Sequence, residues 1–291
     1  MRIVQYLRAV SPLTFLSSIL SALIGASVAY YMYDTISLYK LALILVFLVL
    51  IHAGVNLYND YRDYVTGVDV EYRRKHVLHR LNMIIDLGVS PRVVKNVSLL
   101  LILASTAVGC ALLVNLSIAP VLVIVFLGLL IGVGYSSPVI KFRYRGLGEI
   151  MAGIATGPLI ACGSFIVLTD SLSTFGIFLS IIAGLCNGLY TTLILVKIAL
   201  ARYDVDRSRG KRTLPVVIGV ENARRLLYGL VLIIYSIPIL LYVTGWVSPL
   251  VLLSLLSIPL TLRYLRGGNP FNLFLSRIVM SIFICLGFLI H

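Results

Sequence analysis

Nine stretches of this chain stay apolar for about the 20 residues that a helix needs to cross a bilayer, and nearly every charge lies in the gaps between them. They run over approximately 12–33, 38–58, 93–114, 117–135, 147–168, 174–200, 222–244, 247–265 and 271–290. Only 12% of the residues are charged and 60% are hydrophobic, with a mean hydropathy of +1.04. Soluble domains carry about 25% charged residues. Backbone polar groups in lipid must be satisfied within the segment, so runs of this length fold as helices. The expectation is an all-α, polytopic membrane protein of nine transmembrane helices, forming one domain (1–291). The first run is too long for a signal-peptide core and lacks a convincing cleavage site.

A net charge of +13 would in a soluble chain suggest nucleic acid. Here 22 of the 24 Lys and Arg residues fall in or beside alternate gaps, on one side of the nine-span arrangement; Lys40 lies opposite and Arg277 within the last span. That asymmetry is what topology demands, so nucleic acid is not an expected partner and membrane lipid is. It predicts a cell-membrane protein with its N-terminus cytoplasmic and its C-terminus outside. The outer connections are short and almost uncharged, whereas loops 59–92 and 201–221 are large, charged and cytoplasmic. These two form the expected cap over a central cavity.

Cys110, Cys162, Cys186 and Cys285 all lie in apolar runs without metal-ligand spacing and are expected as small buried residues. Glycines four apart (Gly128/Gly132, Gly153/Gly157, Gly184/Gly188) predict close helix packing. Asn187 and Tyr190 are polar groups deep in the sixth span and require a partner or a cavity.

Three stretches carry chemistry. In His52–Asp69, HAGVNLYNDYRDYVTGVD, helical spacing puts Asn56, Asp60 and Asp63 on one face with His52 a turn earlier, and Asn59 and Asp69 nearby. Clustered oxygens suit a hard cation such as Mg²⁺, which takes few carboxylates together with ligand phosphates. The second stretch, DVDRSRGKRT, sets Asp204 and Asp206 before a glycine and then Lys211 and Arg212, as a phosphate ligand would want. In the third, Tyr135, Lys141, Arg143 and Arg145 alternate cations with aromatics at the membrane surface, where snorkelling anchors are the simpler reading. From spacing alone, a metal–phosphate site and a solvated loop of caps and surface ion pairs stand level.

NDYRDYVTGVD (59–69) with DRSRGKRTLPVVIG (206–219) resembles the two signature stretches of the UbiA superfamily of intramembrane prenyltransferases. The NDxxD…GVD form is most similar to the branch that prenylates 1,4-dihydroxy-2-naphthoate in menaquinone synthesis. So are GLGE (146–149) and Gly157-Pro158. The resemblance covers most of the chain in the right order. It implies nine helices around a cavity and Mg²⁺-dependent transfer from a polyprenyl diphosphate to an aromatic, quinone-precursor acceptor. Asn56, Asp60, Asp63 and Asp206 would hold the metal, with Asp60, Asp63 and Asp206 catalytic. Lys141, Arg143, Lys211 and Arg212 would neutralise the leaving group. Tyr58, Tyr61, Tyr135 and Tyr190 would face the carbocation, and Asn59, Asp69, Asn187, Arg202 and Asp204 would complete substrate binding.

One departure stands out. The second family motif opens with an Asp four residues before its last, preceded by paired Asn; here those positions are Arg202 and Ile198-Ala199. The loop VEYRRKHVLHR likewise lacks the Gly/Ser-rich stretch usual in that branch. The sequence therefore leaves open a lipid acceptor such as geranylgeranylglyceryl phosphate, or a silent binder of isoprenoid phosphates.

Overall fold

The computed structural model describes residues 2–77, 81–113, 118–136 and 139–291. These fold into helices α1 (Arg2–Ala9), α2 (Phe15–Tyr33), α3 (Leu38–Val65), α4 (Val68–Arg74), α5 (Pro91–Leu113), α6 (Ile118–Ser136) and α7 (Gly148–Ile154). There follow α8 (Ile160–Thr169), α9 (Thr174–Ala201), α10 (Tyr203–Ser208), α11 (Leu214–Ile218), α12 (Val220–Val243), α13 (Ile258–Leu265) and α14 (Pro270–Leu289). Among the described residues, seven segments are long and apolar enough to span a bilayer, and two shorter apolar helices, Leu122–Gly132 and Pro249–Leu265, occupy the remaining expected positions. Of the nine spans expected, seven are met in length and composition among the described residues.

Inside and outside follow membrane rules. The buried face of α2 is mostly small, with Ser17, Ser18, Ser21, Ala22, Gly25, Ala26, Ser27 and Ala29 beside the larger Leu20, Ile24 and Val28, while Leu103, Phe126 and Leu232 point outward. Lipid solvates large apolar side chains as well as protein does, so small residues that let backbones approach take the interior. Gly153 and Gly157 lie against Gly188, and a Cβ on Gly184 would meet the backbone of Pro158 and Gly157, so two of the three expected glycine pairs form one seam between α9 and the run of α7 into the segment Ala155–Leu159. That segment is a π turn carrying Pro158, which joins α7 to α8 in one span, Gly148–Thr169. Cys162 and Cys186 are buried, as expected, but Cys110 is exposed and Cys285 half-buried. An apolar position in a membrane helix can face lipid as readily as protein, and α5, which carries Cys110, is mostly outward-facing.

Helix α3 packs along α5, α2 against α8, α9 and α14, and α9 against α12 and α7. Between α3, α6, α8 and α9 lies a cavity of about 460 Å³.

Candidate active site

The two polar stretches are delivered to one end of that cavity by matching turns. Helix α3 runs unbroken past the apolar run to Val65, so Asp60 and Asp63 ride on a rigid helix. Gly67 then adopts φ 74°, a left-handed turn that costs glycine little, and starts α4. Likewise, two residues past the end of α10, Gly210 adopts φ 67° and turns the chain so that Lys211 is buried. Helices α4 and α10 pack on each other through Val68, Tyr72 and Val205.

At the join, Lys211 Nζ lies 3.3 Å from Asp63 Oδ2 and 3.0 Å from the Tyr72 hydroxyl. The Tyr72 hydroxyl donates to Asp206 Oδ1, and Thr213 Oγ1 donates to Asp206 Oδ2 at 3.2 Å. Arg143 pairs with Asp63 from the third stretch. Asn82 Nδ2 donates to Asp69 Oδ2 at 2.9 Å, and both Glu149 carboxylate oxygens accept from the Leu214 N–H at 3.3 Å. The guanidinium of Arg202 lies 4.6 Å from the Tyr72 ring centroid, and Lys211 Nζ lies 5.1 Å from it. One tyrosine thus holds two cations against its face and an acid at its edge.

Burial sets the charge states. It pulls the Lys211 ammonium down to about 8, helped by the nearby Arg143 charge and opposed by Asp63 and Asp206. Burial also raises the Tyr72 hydroxyl far above the phenol range, and the charges of Asp206 and Asp63 add to this, so it stays a proton donor. For Arg143, burial works against the charge, but Asp63 outweighs it and the guanidinium holds its proton more firmly than usual.

Of the residues expected from the sequence, Asn56, Asn59, Asp60, Asp69, Tyr135, Arg143, Arg202, Asp206 and Lys211 line the cavity. Asp63 is buried behind Arg143 and Lys211 and is not among the lining residues. Lys141, Asp204 and Arg212 are exposed and outside the lining. Tyr58 and Tyr61 pair with each other away from it, their ring centroids 6.3 Å apart. Tyr190 is buried in a knot of hydroxyls with Tyr235, Thr261 and Ser276, which satisfies it without a ligand. Asn187 bonds Ser17, Ser21 and Arg277. The spacing argument missed Tyr72 and Glu149. Tyr72 falls three residues after Asp69 and four after Val68, so a helical reading of VDVEYRR would have put all three on one face.

Magnesium is the metal that the sequence resemblance implies, and the donor set fits it in one way. Among the described residues no three carboxylate, imidazole or thiol groups converge into a ready-made cage. Asp60 and Asp206 do line the same end, and Asn59 Oδ1 is buried with no hydrogen-bond partner among the described residues. Mg²⁺ usually takes one or two carboxylates and completes its shell from phosphate and water.

Comparison with known proteins identifies the family. Residues 18–269 match the model of the UbiA prenyltransferase family. The 1,4-dihydroxy-2-naphthoate octaprenyltransferase of Bacillus subtilis (strain 168) is 25% identical over 261 residues, covering 88% of this chain and 79% of the relative. The 2-carboxy-1,4-naphthoquinone phytyltransferase of Synechocystis is 24% identical, with 92% and 83% covered. A solved UbiA homologue from Archaeoglobus fulgidus, bound to DMAPP and Mg²⁺, superposes with a TM-score of 0.67 at 20% identity over 98% of each chain. A solved UbiA homologue from Aeropyrum pernix K1 gives a TM-score of 0.68 at 16% identity, covering 95% of this chain and 97% of that one. The protein is therefore a multi-pass membrane prenyltransferase, and it belongs to the UbiA prenyltransferase family.

Proposed function

We propose that this enzyme transfers a polyprenyl group from its diphosphate to an aromatic, naphthoate-like quinone precursor, with Mg²⁺. The observation that carries the proposal is the meeting of Asp63, Lys211, Tyr72 and Asp206 at the charged mouth of an otherwise greasy cavity. A diphosphate with an apolar tail matches both ends of that hollow. The named activities of the Bacillus and Synechocystis relatives support an aromatic acceptor over a lipid one.

The chain's residues divide the work. Asp60, with the side-chain oxygens of Asn56 and Asn59, and Asp206 across the mouth would hold Mg²⁺. When bound, the metal neutralises charge on the diphosphate. Arg143, Arg202 and Lys211 offer cations to the remaining phosphate oxygens, and Arg202 thereby takes the place of the missing acid of the second motif. Asp63 positions Arg143 and Lys211 rather than reaching the ligand itself. As the allylic C–O bond breaks, these cations take up the charge left on the diphosphate. Apolar lining such as Phe47, Ile51, Leu113 and Val167 keeps water from the carbocation. The ring carbon that bears the acceptor's carboxylate forms the new C–C bond to the carbocation, and aromaticity returns as the ring–carboxylate bond breaks, its electron pair going to the ring and carbon dioxide leaving. The basic mouth belongs on the cytoplasmic side by the distribution of Lys and Arg.

The test is mass spectrometry of products from purified enzyme given prenyl diphosphates of several lengths with 1,4-dihydroxy-2-naphthoate and, separately, geranylgeranylglyceryl phosphate. The proposal expects a prenylated naphthoquinol. Product only from the glyceryl phosphate would overturn the choice of acceptor.

A further inference from the structure

Arg277 sits inside α14, 3% exposed, in a segment otherwise without charge. Its Nε donates to Asn187 Oδ1, and its Nη2 donates to the Asn187 carbonyl at 2.7 Å and to Thr191 Oγ1 at 2.5 Å. Asn187 is fixed in turn, its Nδ2 donating to the Ser17 carbonyl and to Ser21 Oγ, both at 2.7 Å. Every one of these partners is neutral. The chain has eleven acids, all among the described residues, and none of them pairs with Arg277. The two N–H groups of Nη1 have no partner among the described residues, and Arg277 and Thr191 both line the cavity.

A charge at this depth is costly without a counter-charge, and a bundle keeps one where a ligand supplies the balance. The scaffold already spends three neutral acceptors aiming the guanidinium, which leaves one edge toward the hollow. Ser17 and Ser18 are neighbours, and Ser18 Oγ bonds His52 Nδ1 at 2.8 Å, so Arg277 and His52 belong to one polar layer. His52 precedes Asp60 by eight residues on α3, about 12 Å along the axis. That leaves room between the layer and the diphosphate end for a carboxylate, the ring carbon that bears it and the reacting prenyl carbon.

We propose that Arg277, aimed by Asn187 and Thr191, receives the carboxylate of the aromatic acceptor and so sets acceptor specificity. A carboxylate brings one charge and two coplanar oxygens to one planar guanidinium. A phosphate monoester would bring nearly two charges to a layer with a single permanent cation. The inference rests on the aromatic acceptor proposed above.

Calorimetry with a non-hydrolysable prenyl thiolodiphosphate in the donor site tests it. Binding of 1,4-dihydroxy-2-naphthoate is compared with that of its methyl ester. The wild-type enzyme should prefer the acid at least about tenfold. Arg277→Gln should erase the preference while donor Kd stays within twofold. Thr191→Val, which keeps the charge but loosens its aim, should weaken the acid by about threefold and leave the ester unchanged. Equal binding of acid and ester by the wild type overturns the inference whether or not the Arg277 variant folds, as does an equal loss for both ligands in Arg277→Gln. Turnover of geranylgeranylglyceryl phosphate alone would remove the aromatic acceptor itself. An enzyme that prenylates the naphthoate yet ignores its carboxylate removes only the role of Arg277.

Discussion

Lys211 and Asp63 are 148 residues apart in the chain and meet with Nζ and Oδ2 separated by 3.3 Å. This contact joins the two polar stretches, and the Tyr72 hydroxyl, 3.0 Å from the same Nζ, extends it to Asp206. The charged mouth of the cavity is therefore a single network rather than two independent loops.

Removing the hinge of that network should cost more than its small volume suggests. Tyr72→Phe deletes one oxygen and leaves Asp206 and Lys211 each short of a buried hydrogen bond, a loss of about 1–3 kcal/mol. Prenyl transfer should fall by about 5- to 100-fold in kcat/KM for the donor, with the fold retained by circular dichroism.

The lowered Lys211 pKa sets a pH dependence. Its folded value, about 8, lies below the ordinary lysine value of 10.5, so the ammonium loses its proton as pH rises through about 8. Donor affinity should thus fall between pH 7 and 9, and Lys211→Met should be weak throughout and nearly flat. The stability sign is opposite. The unfolded chain holds this proton up to about 10.5 and the folded one does not, so the group's contribution to stability rises with pH between about 8 and 10.5.

Arg202, whose guanidinium lies 4.6 Å from the centroid of the Tyr72 ring, should hold the donor where the family motif has an acid. Arg202→Ala is expected to raise donor KM by about tenfold with kcat little changed. Arg202→Asp, which restores the acid, should be worse than Ala, because it adds negative charge beside Asp206.

The seam between α9 and the π turn should be intolerant of volume. A methyl on Gly157 would overlap the backbone of Gly188. Gly157→Ala is expected to cost about 1–3 kcal/mol, read as a lower melting temperature in detergent.

The helical runs were legible because bilayer thickness imposes one length and one composition on all of them. Predicted 174–200 became Thr174–Ala201, and predicted 12–33 became Pro12–Tyr33. The length of Pro249–Leu265 was legible too, but not that its first half, Pro249–Ser257, winds as a 3₁₀ helix. Asp60, Asp206 and Lys211 could be picked out because acids and a glycine hinge next to apolar runs are conspicuous. Which of them face the cavity was not legible: Asp63 and Asp60 share a helix face by spacing, yet Asp63 turns to Arg143 and Lys211. Tyr190 and Asn187 looked alike as polar groups in a span. Only the packing shows that three hydroxyls satisfy one while the other steadies an arginine.

The central claim is that both stretches grip one magnesium diphosphate, and donor binding tests it most directly. Calorimetric Kd values for geranylgeranyl diphosphate should be measured with and without Mg²⁺ for wild type, Asp60→Asn and Lys211→Met. Both variants should bind at least about tenfold more weakly with Mg²⁺ present. Only Asp60→Asn should also lose the difference that Mg²⁺ makes. A Kd within twofold of wild type in either variant would contradict the claim.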